Sequence, residues 1–227
     1  ITSTVSANTT SGFSIVSYTG TGANATVGHG LGSTPKMIIV KNRNNTQGWA
    51  VYHASLGNTK FLQLNDIAAE GTASTFWNNT TPTSSVFSIG TSGWMNDIGS
   101  NYIAYCFAEV QGFSKFGSYT GNGNADGTFV YTGFKPSFVL VKRTDTTGYE
   151  WSIWDNKRDP FNLADTTLRP NSAATESTIG SFYQIDMLSQ GYKFRTSNGD
   201  VNASVGTYIY MAFAEEPLVG DNPATAR

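Results

Sequence analysis

Two tryptophans in this chain stand beside side-chain amides and a carboxylate. Trp77 is followed by Asn78 and Asn79, and Trp94 is followed closely by Asn96 and Asp97. Sugar rings present C–H faces that stack on an aromatic ring, and sugar hydroxyls exchange hydrogen bonds with amides and carboxylates. These six residues, on expected loops, are therefore the candidate glycan-binding set. The competing use of the tryptophans is to fill a core or a subunit contact. Trp49, Trp151 and Trp154 fall at strand positions and are expected to be core.

Other chemistries find little footing. His29 and His53 are the two histidines, and neither has a second His or Cys at metal-ligand spacing, so no metal is expected. A nucleophile elbow, Gly-x-Ser-x-Gly between strand and helix, does not occur. The single cysteine, Cys106, lies inside an apolar strand and reads as a small buried residue, not an exposed thiolate. The run GNGNADG, Gly121–Gly127, lacks the following helix of a phosphate loop and the terminal Glu of a calcium loop. It reads as a Gly-Asn turn. A glycoside hydrolase would need paired carboxylates, drawn from Asp155, Asp159 and Asp165 or from Glu109 and Glu215. The two glutamates hold equivalent places in the two halves of the chain. They are expected to pair with strand cations such as Lys41 and Lys142, or to sit at a sheet rim. Asp155–Asp159 reads as a charged turn ended by Pro160. No catalytic residue and no cofactor are expected, and the chain reads as a non-enzyme.

The elements that would position these residues are strands. Asn101–Val110 (NYIAYCFAEV) is apolar on both faces and reads as the middle strand of a sheet. It returns as Thr207–Glu216 (TYIYMAFAEE). Gly12–Gly22 (GFSIVSYTGTG) likewise returns as Gly112–Gly123 (GFSKFGSYTGNG), and Pro35–Lys41 (PKMIIVK) as Pro136–Lys142 (PSFVLVK). Trp49 and Tyr52 match Trp151 and Trp154. The segments recur in the same order, so the chain reads as an internal repeat. Strands are expected at 13–19, 25–29, 36–41, 49–53, 60–64, 85–89 and 101–110, and again at 113–119, 128–132, 137–143, 150–155, 182–188, 191–195 and 207–215. Asn65–Glu70 and Ala173–Ser177 could each make a helical turn. The expectation is an all-β chain of two tandem, internally duplicated β-sandwich, jelly-roll-like units at 12–111 and 112–216. Residues 1–11 read as a linker, or as a strand packed against another chain, and 217–227 as a surface tail. The repeats diverge most in 71–85 and 156–180, where specificity is expected to sit.

Composition agrees with that class. Aromatics make up 13% of the 227 residues, charged residues also 13%, and net charge is −2. β-Branched and aromatic residues suit strands, while the plentiful Gly and Asn suit turns. With no basic cluster, neither nucleic acid nor an anionic membrane surface is an expected partner. No run is long enough to span a bilayer. The chain does not begin with Met and reads as a fragment or a processed product.

Several long strings, GHGLGSTPKMIIVKNR, DGTFVYTGFKPSFVLVKRTDTTG, IWDNKRDPFN and TYIYMAFAEEP, with the ending NPATAR, resemble an uncharacterised domain family of marine bacteriophages, found in tail-fibre-like and other virion structural proteins. The resemblance runs from Gly12 almost to the end. It implies a virion-surface protein, assembled in the bacterial host cytoplasm and forming a homo-oligomer, with a trimer favoured. Its partners would be other virion subunits and, for a host-attachment module, host surface polysaccharide or lipopolysaccharide. A capsid decoration or head-fibre protein without receptor binding is the other reading. The resemblance supplies no catalytic residues.

Overall fold

The structure, a computed structural model, describes residues 1–176 and 182–216. The chain is all-β, with antiparallel sheets and three single helical turns among the described residues. It divides into two compact units. The first comprises Ile1–Asp66 and Glu70–Glu109; the second comprises Ile67–Ala69 and the chain from Val110 onward. The expected tail, 217–227, lies outside the described residues.

In the first unit the strands are β1 (Ser3–Asn8), β2 (Phe13–Thr19), β3 (Ala25–Gly28), β4 (Pro35–Asn42), β5 (Ala50–His53), β6 (Lys60–Gln63), β7 (Gly71–Thr72), β8 (Val86–Ile89) and β9 (Asn101–Ala108). The helical turns are α1 (Ser74–Trp77) and α2 (Gly93–Asn96). One sheet runs β1-β2-β9-β4-β5-β6-β7, and β3 pairs with β8 in a separate ribbon. Strand alternation sets the core. Val16 and Tyr18 of β2, Ile38 and Val40 of β4, and Tyr102, Ala104 and Cys106 of β9 cluster with Val27, Phe87 and Ile89 of the ribbon. Cys106 is buried, and burial pushes its thiol up to about 12, so it stays protonated and inert.

The second unit holds β10 (Ser114–Thr120), β11 (Phe129–Tyr131), β12 (Pro136–Arg143), β13 (Trp151–Asp155), β14 (Ile185–Leu188), β15 (Gly191–Phe194), α3 (Gly199–Asn202) and β16 (Thr207–Ala214). One sheet runs β10-β16-β12-β13 and the other β11-β15-β14. The order β10-β16-β12-β13 matches β2-β9-β4-β5 of the first unit. Both units break register where a proline opens a long strand, in β4 between Pro35 and Met37 and in β12 between Pro136 and Phe138. Proline has no N–H for the ladder, so a strand beginning on it favours such an irregularity.

The expected strands all form, most ending within one or two residues of the expected bounds. Two expectations fail. Residues 1–11 are not a free linker: Ser3–Asn8 pairs with β2 of the same chain, from Ser3↔Tyr18 to Asn8↔Phe13. The reason is a tight turn, in which the Ser11 N–H donates to Asn8 Oδ1 (3.0 Å) and Gly12 takes φ 67°. The expected helical turn at 65–70 is irregular, as are 173–176, while residue 177 is outside the described set. Two of the three helical turns are capped by a side chain, while α1 follows Ala73 without one. Ser92 accepts from the Trp94 N–H ahead of α2, and Asn198 from the Asp200 N–H ahead of α3.

Each unit is locked by one buried asparagine and two stacked tyrosines. Asn96 is fully buried; its Nδ2 donates to Gly90 O (2.7 Å) and Ala23 O (2.6 Å), and its Oδ1 accepts from the Thr21 N–H (2.8 Å). Asn202 does the same work in the second unit, donating to Thr196 O and Asn124 O and accepting from the Asn122 N–H. Tyr18 stacks on Tyr102 (5.1 Å) and Tyr119 on Tyr208 (4.8 Å). Tyr102 Oη donates to Gly93 O and accepts from the Asp97 N–H; Tyr208 Oη donates to Gly199 O and accepts from the Ala203 N–H. Tyr18 and Tyr119 donate to Met95 O and Val201 O. Burial raises all four hydroxyls above their ordinary pKa, Tyr208 to about 12, so each keeps the proton it donates.

Two predictions follow from this frame. Asn96→Ala strands two buried carbonyls and one N–H, which costs on the order of 3 kcal/mol in urea unfolding; Asn202→Ala behaves alike. A loss below about 1 kcal/mol for both variants would show that the amides are not holding the fold. His29 is fully buried, with the Leu31 N–H donating to Nδ1 and the ring meeting Thr83 O through Nε2 (3.2 Å). Burial lowers its pKa from 6.5 despite the opposing pull of the Thr83 carbonyl. The unfolded chain therefore binds a proton that the fold refuses. Stability contributed by neutral His29 is full above pH 6.5 and drains as pH falls toward the depressed folded value. Replacing His29 with Gln flattens the unfolding free energy over this window relative to the parent.

Candidate functional site

The six sequence-derived residues do not form one surface. Trp77 closes α1 at 1% exposure and packs edge-on against Tyr52 (5.5 Å, 70°). Its Nε1–H finds no partner among the described residues. Asn96 is the buried lock described above. Trp94 is half-buried, edge-on to Phe76 (5.6 Å) and lying over Gly48, where an added Cβ would come within 2.6 Å of its ring. Asn78 and Asn79 follow α1 in left-handed conformation (φ 49° and 48°), where asparagine is tolerated. Asp97 is exposed, and its N–H is spent on Tyr102. The aromatic faces that would stack on a sugar are thus committed to the core or leaning on it. Of the three expected core tryptophans, Trp151 and Trp154 are buried and Trp49 is half-buried.

The carboxylates considered for hydrolysis are tied into structural contacts. Asp155 accepts from the Lys157 and Arg158 N–H groups and pairs with the Arg158 side chain; Asp159 accepts from the Asp165 and Thr166 N–H groups. Glu215 pairs with Lys135 (2.6 Å). The ammonium of Lys41 bonds the carbonyls of Asn45 and Gln47 in the turn after β4, and that of Lys142 bonds Tyr149 O in the turn after β12 and Ile67 O.

An aromatic surface lies instead on the outward face of the second unit's small sheet. On β11, Val130 points into the core, so Phe129 and Tyr131 point out, at 45% and 62% exposure. Across the sheet Phe129 faces Lys193, which faces Asp186, while Tyr131 faces Gly191, which faces Leu188. At Gly191 a Cβ would sit 2.1 Å from Val130 O and 3.1 Å from the Phe129 ring, so the strands approach too closely for any side chain. Beside the rings runs a ladder of charge. Asp126 Oδ1 accepts from Lys193 Nζ (3.0 Å) and Arg195 Nη1 (3.2 Å), and Arg195 Nε donates to Asp186 Oδ2 (2.6 Å). Lys193, by hydrogen bond and then by charge, and Arg195 next hold the Asp126 carboxyl below its ordinary value. Two carboxylates and two cations cancel, leaving a surface that is polar but neutral. Phe161, Leu163 and Phe182 are further exposed apolar side chains of this unit. Leu163 lies alongside β14, because Asn162 exchanges two hydrogen bonds with the Met187 backbone.

The first unit's ribbon is the informative contrast. Val27 pairs with Phe87 as Val130 pairs with Tyr192, so Thr26 stands where the second unit has Phe129, Gly28 where it has Tyr131, and Ser88 where it has Lys193. Ser3 of β1 bonds Gly28 O (3.0 Å) and covers that position. The sequence carries this signal. Between the matching strands of the two units, two outward positions are small or polar in the first and aromatic in the second, and the position across from one is a cation in the second.

Residues 1–217 match a family described as "Domain of unknown function (DUF7483)". The chain belongs to the DUF7483 family. Neither the curated proteins nor the solved structures contain a match. Family membership thus leaves the site to be argued from geometry, and in this DUF7483 chain two exposed rings stand on one face of β11.

The prediction that separates the two tryptophan–asparagine clusters from the β11 face is one of stability. Trp77→Ala, emptying a packed core position, lowers unfolding free energy by about 3–5 kcal/mol. Phe129→Ala and Tyr131→Ala, which remove exposed rings, change it by no more than about 0.5 kcal/mol. Chemical denaturation of the three variants measures the difference, and equal losses would mean that the β11 rings are structural.

Proposed function

We propose that this chain is a pair of tandem β-sandwich modules, copies of one duplicated unit, from the exterior of a bacteriophage virion, and that it attaches to host surface glycan through the outward face of β11 and β15. The observation that carries the glycan reading is the pair of exposed rings, Phe129 and Tyr131, two residues apart on one strand beside a neutral ladder of donors and acceptors. Successive outward residues on a strand lie roughly 7 Å apart, a separation over which two rings can support adjoining sugars. Exposed ion pairs contribute little to stability, so Asp126, Lys193 and Arg195 can exchange partners with sugar hydroxyls at small cost. A neutral site favours a hydroxyl-rich ligand over a polyanion.

The placement on a virion rests on the resemblance of the long strings to phage virion proteins, and low charge with abundant Thr, Asn and Gly supports an extracellular setting. Matching order in the two main sheets, a shared register break and the two asparagine–tyrosine locks support the duplication. A homo-oligomer, with a trimer favoured, would multiply weak contacts with a repetitive polysaccharide.

Binding of the folded protein to host-envelope polysaccharide and lipopolysaccharide on a glycan array tests this reading. Tyr131→Ala and Phe129→Ala are each expected to weaken binding about 5–30-fold, the effect of losing 1–2 kcal/mol at a central contact, without loss of fold. Absence of glycan binding, combined with capsid affinity that the same variants abolish, would move the chain to the decoration or head-fibre reading.

A further inference from the structure

The first unit carries a second polar surface that the β11 site does not use. At one end of its large sheet, outward residues from four neighbouring strands form a row: Thr2 just before β1, Thr19 of β2, Asn101 of β9 and Arg43 just past β4. Thr4 and Ser17 stand one step further along the same face, opposite one another. Together they border a shallow cavity of about 210 Å³, the size of a single sugar ring. Among the described residues, Arg43 is its one charged lining residue, and no carboxylate is among them. The Arg43 N–H bonds Asn101 O (2.8 Å), which fixes the backbone, yet the exposed guanidinium has no hydrogen bond or ion pair among the described residues. The Thr19 hydroxyl donates to Asn101 Oδ1 (3.2 Å), and Asn44 Oδ1 accepts from the Asn101 N–H (2.6 Å), so the amide in the middle of the row is held in place.

The equivalent end of the second unit is built differently. There Thr144 takes the place of Arg43 and Thr207 that of Asn101, and the two hydroxyls bond one another (3.0 Å). Among the described residues, that row holds no cation. A guanidinium presents a planar fork of donors that fits a carboxylate or a sulfate through two parallel hydrogen bonds. In the first unit that fork stands at the end of a row of hydroxyls and an amide, in a hollow of monosaccharide size.

We infer that this hollow is a binding subsite for an acidic sugar, with Arg43 taking the carboxylate or sulfate and Thr19, Asn101 and Ser17 taking the ring hydroxyls. That the anion is carried on a sugar rests on the glycan reading above; that an anion belongs beside Arg43 rests on the cavity alone. The subsite differs from the β11 face in chemistry, since one is cationic and hydroxyl-lined and the other neutral and aromatic.

Two-dimensional amide NMR of the full chain, titrated with glucuronate, glucose 6-sulfate and glucose, tests the subsite. Both acidic sugars are expected to shift the Thr19, Arg43 and Asn101 amides in a saturable way, with glucose at least tenfold weaker, and the stronger of the two acids identifies the preferred anion. Arg43→Gln is expected to weaken the acidic sugars at least tenfold, Arg43→Lys to restore part of the affinity, and Tyr131→Ala to leave it unchanged. No saturable shift at these amides, or shifts as strong with glucose and indifferent to Arg43→Gln, would overturn the inference. Saturable glucuronate binding by a parent chain that binds no array glycan would leave this subsite standing by itself. Glycan binding lost in Tyr131→Ala, with no saturable shift from either acidic sugar, would leave only the β11 site.

Discussion

A backbone that turns inside a protein must find a partner for every N–H and C=O it takes away from water. In this chain that demand is met by single side chains. The loop after β2, the end of β8 and the turn α2 meet at Asn96, whose amide serves all of them. The loop after β10, the end of β15 and α3 meet in the same way at Asn202. Each amide has two donors and an acceptor with two lone pairs, and nearly all of that capacity is used. The stacked tyrosines then fix the helical turns from below, so a single turn of helix, too short to hold itself, stays formed. Loop positions, ribbon and sheet all take their geometry from these contacts.

Once the frame is held this way, the ribbon is free to vary on its outer side. Its inner residues, Val27, Phe87 and Ile89 in one unit and Val130, Tyr192 and Phe194 in the other, are core. The alternate residues carry no such duty. In one unit they are Thr26, Gly28 and Ser88, partly covered by β1. In the other they are Phe129, Tyr131 and Lys193, open to solvent on a sheet extended by β14. The same latitude applies at the far end of the main sheets, where a threonine pair in one unit stands in place of Arg43 and Asn101 in the other. Binding chemistry is thus placed on positions whose side chains the fold does not need.

The strands were legible in the sequence because alternation over four to eight residues is a strong signal and glycines punctuate it. Residues 1–11 read as a linker or as a strand against another chain because their composition, rich in Ser, Thr, Ala and Asn, names no partner; the Asn8–Gly12 turn that folds β1 back onto β2 was the clue. The site was less legible, for a different reason. A tryptophan followed by asparagines looks the same whether the ring faces water or ends a helical turn in the core, and only the α1 geometry decides for Trp77. Phe129 and Tyr131 were visible as strand residues, but their exposure follows from the inward direction of Val130, which sequence parity fixes only once the opposite strand is placed. Asn96 was chosen for its hydrogen-bonding capacity. That capacity is real, but it is spent inside the protein.

The lone thiol has a practical corollary. Cys106 is sealed in the sheet and holds its proton far above neutral pH, so maleimides and oxidants meet no reactive sulfur on the folded chain. A cysteine introduced on any exposed strand position would be the sole site of conjugation. Fluorophores, spin labels or surface anchors could then be attached at one defined atom without first removing a native residue.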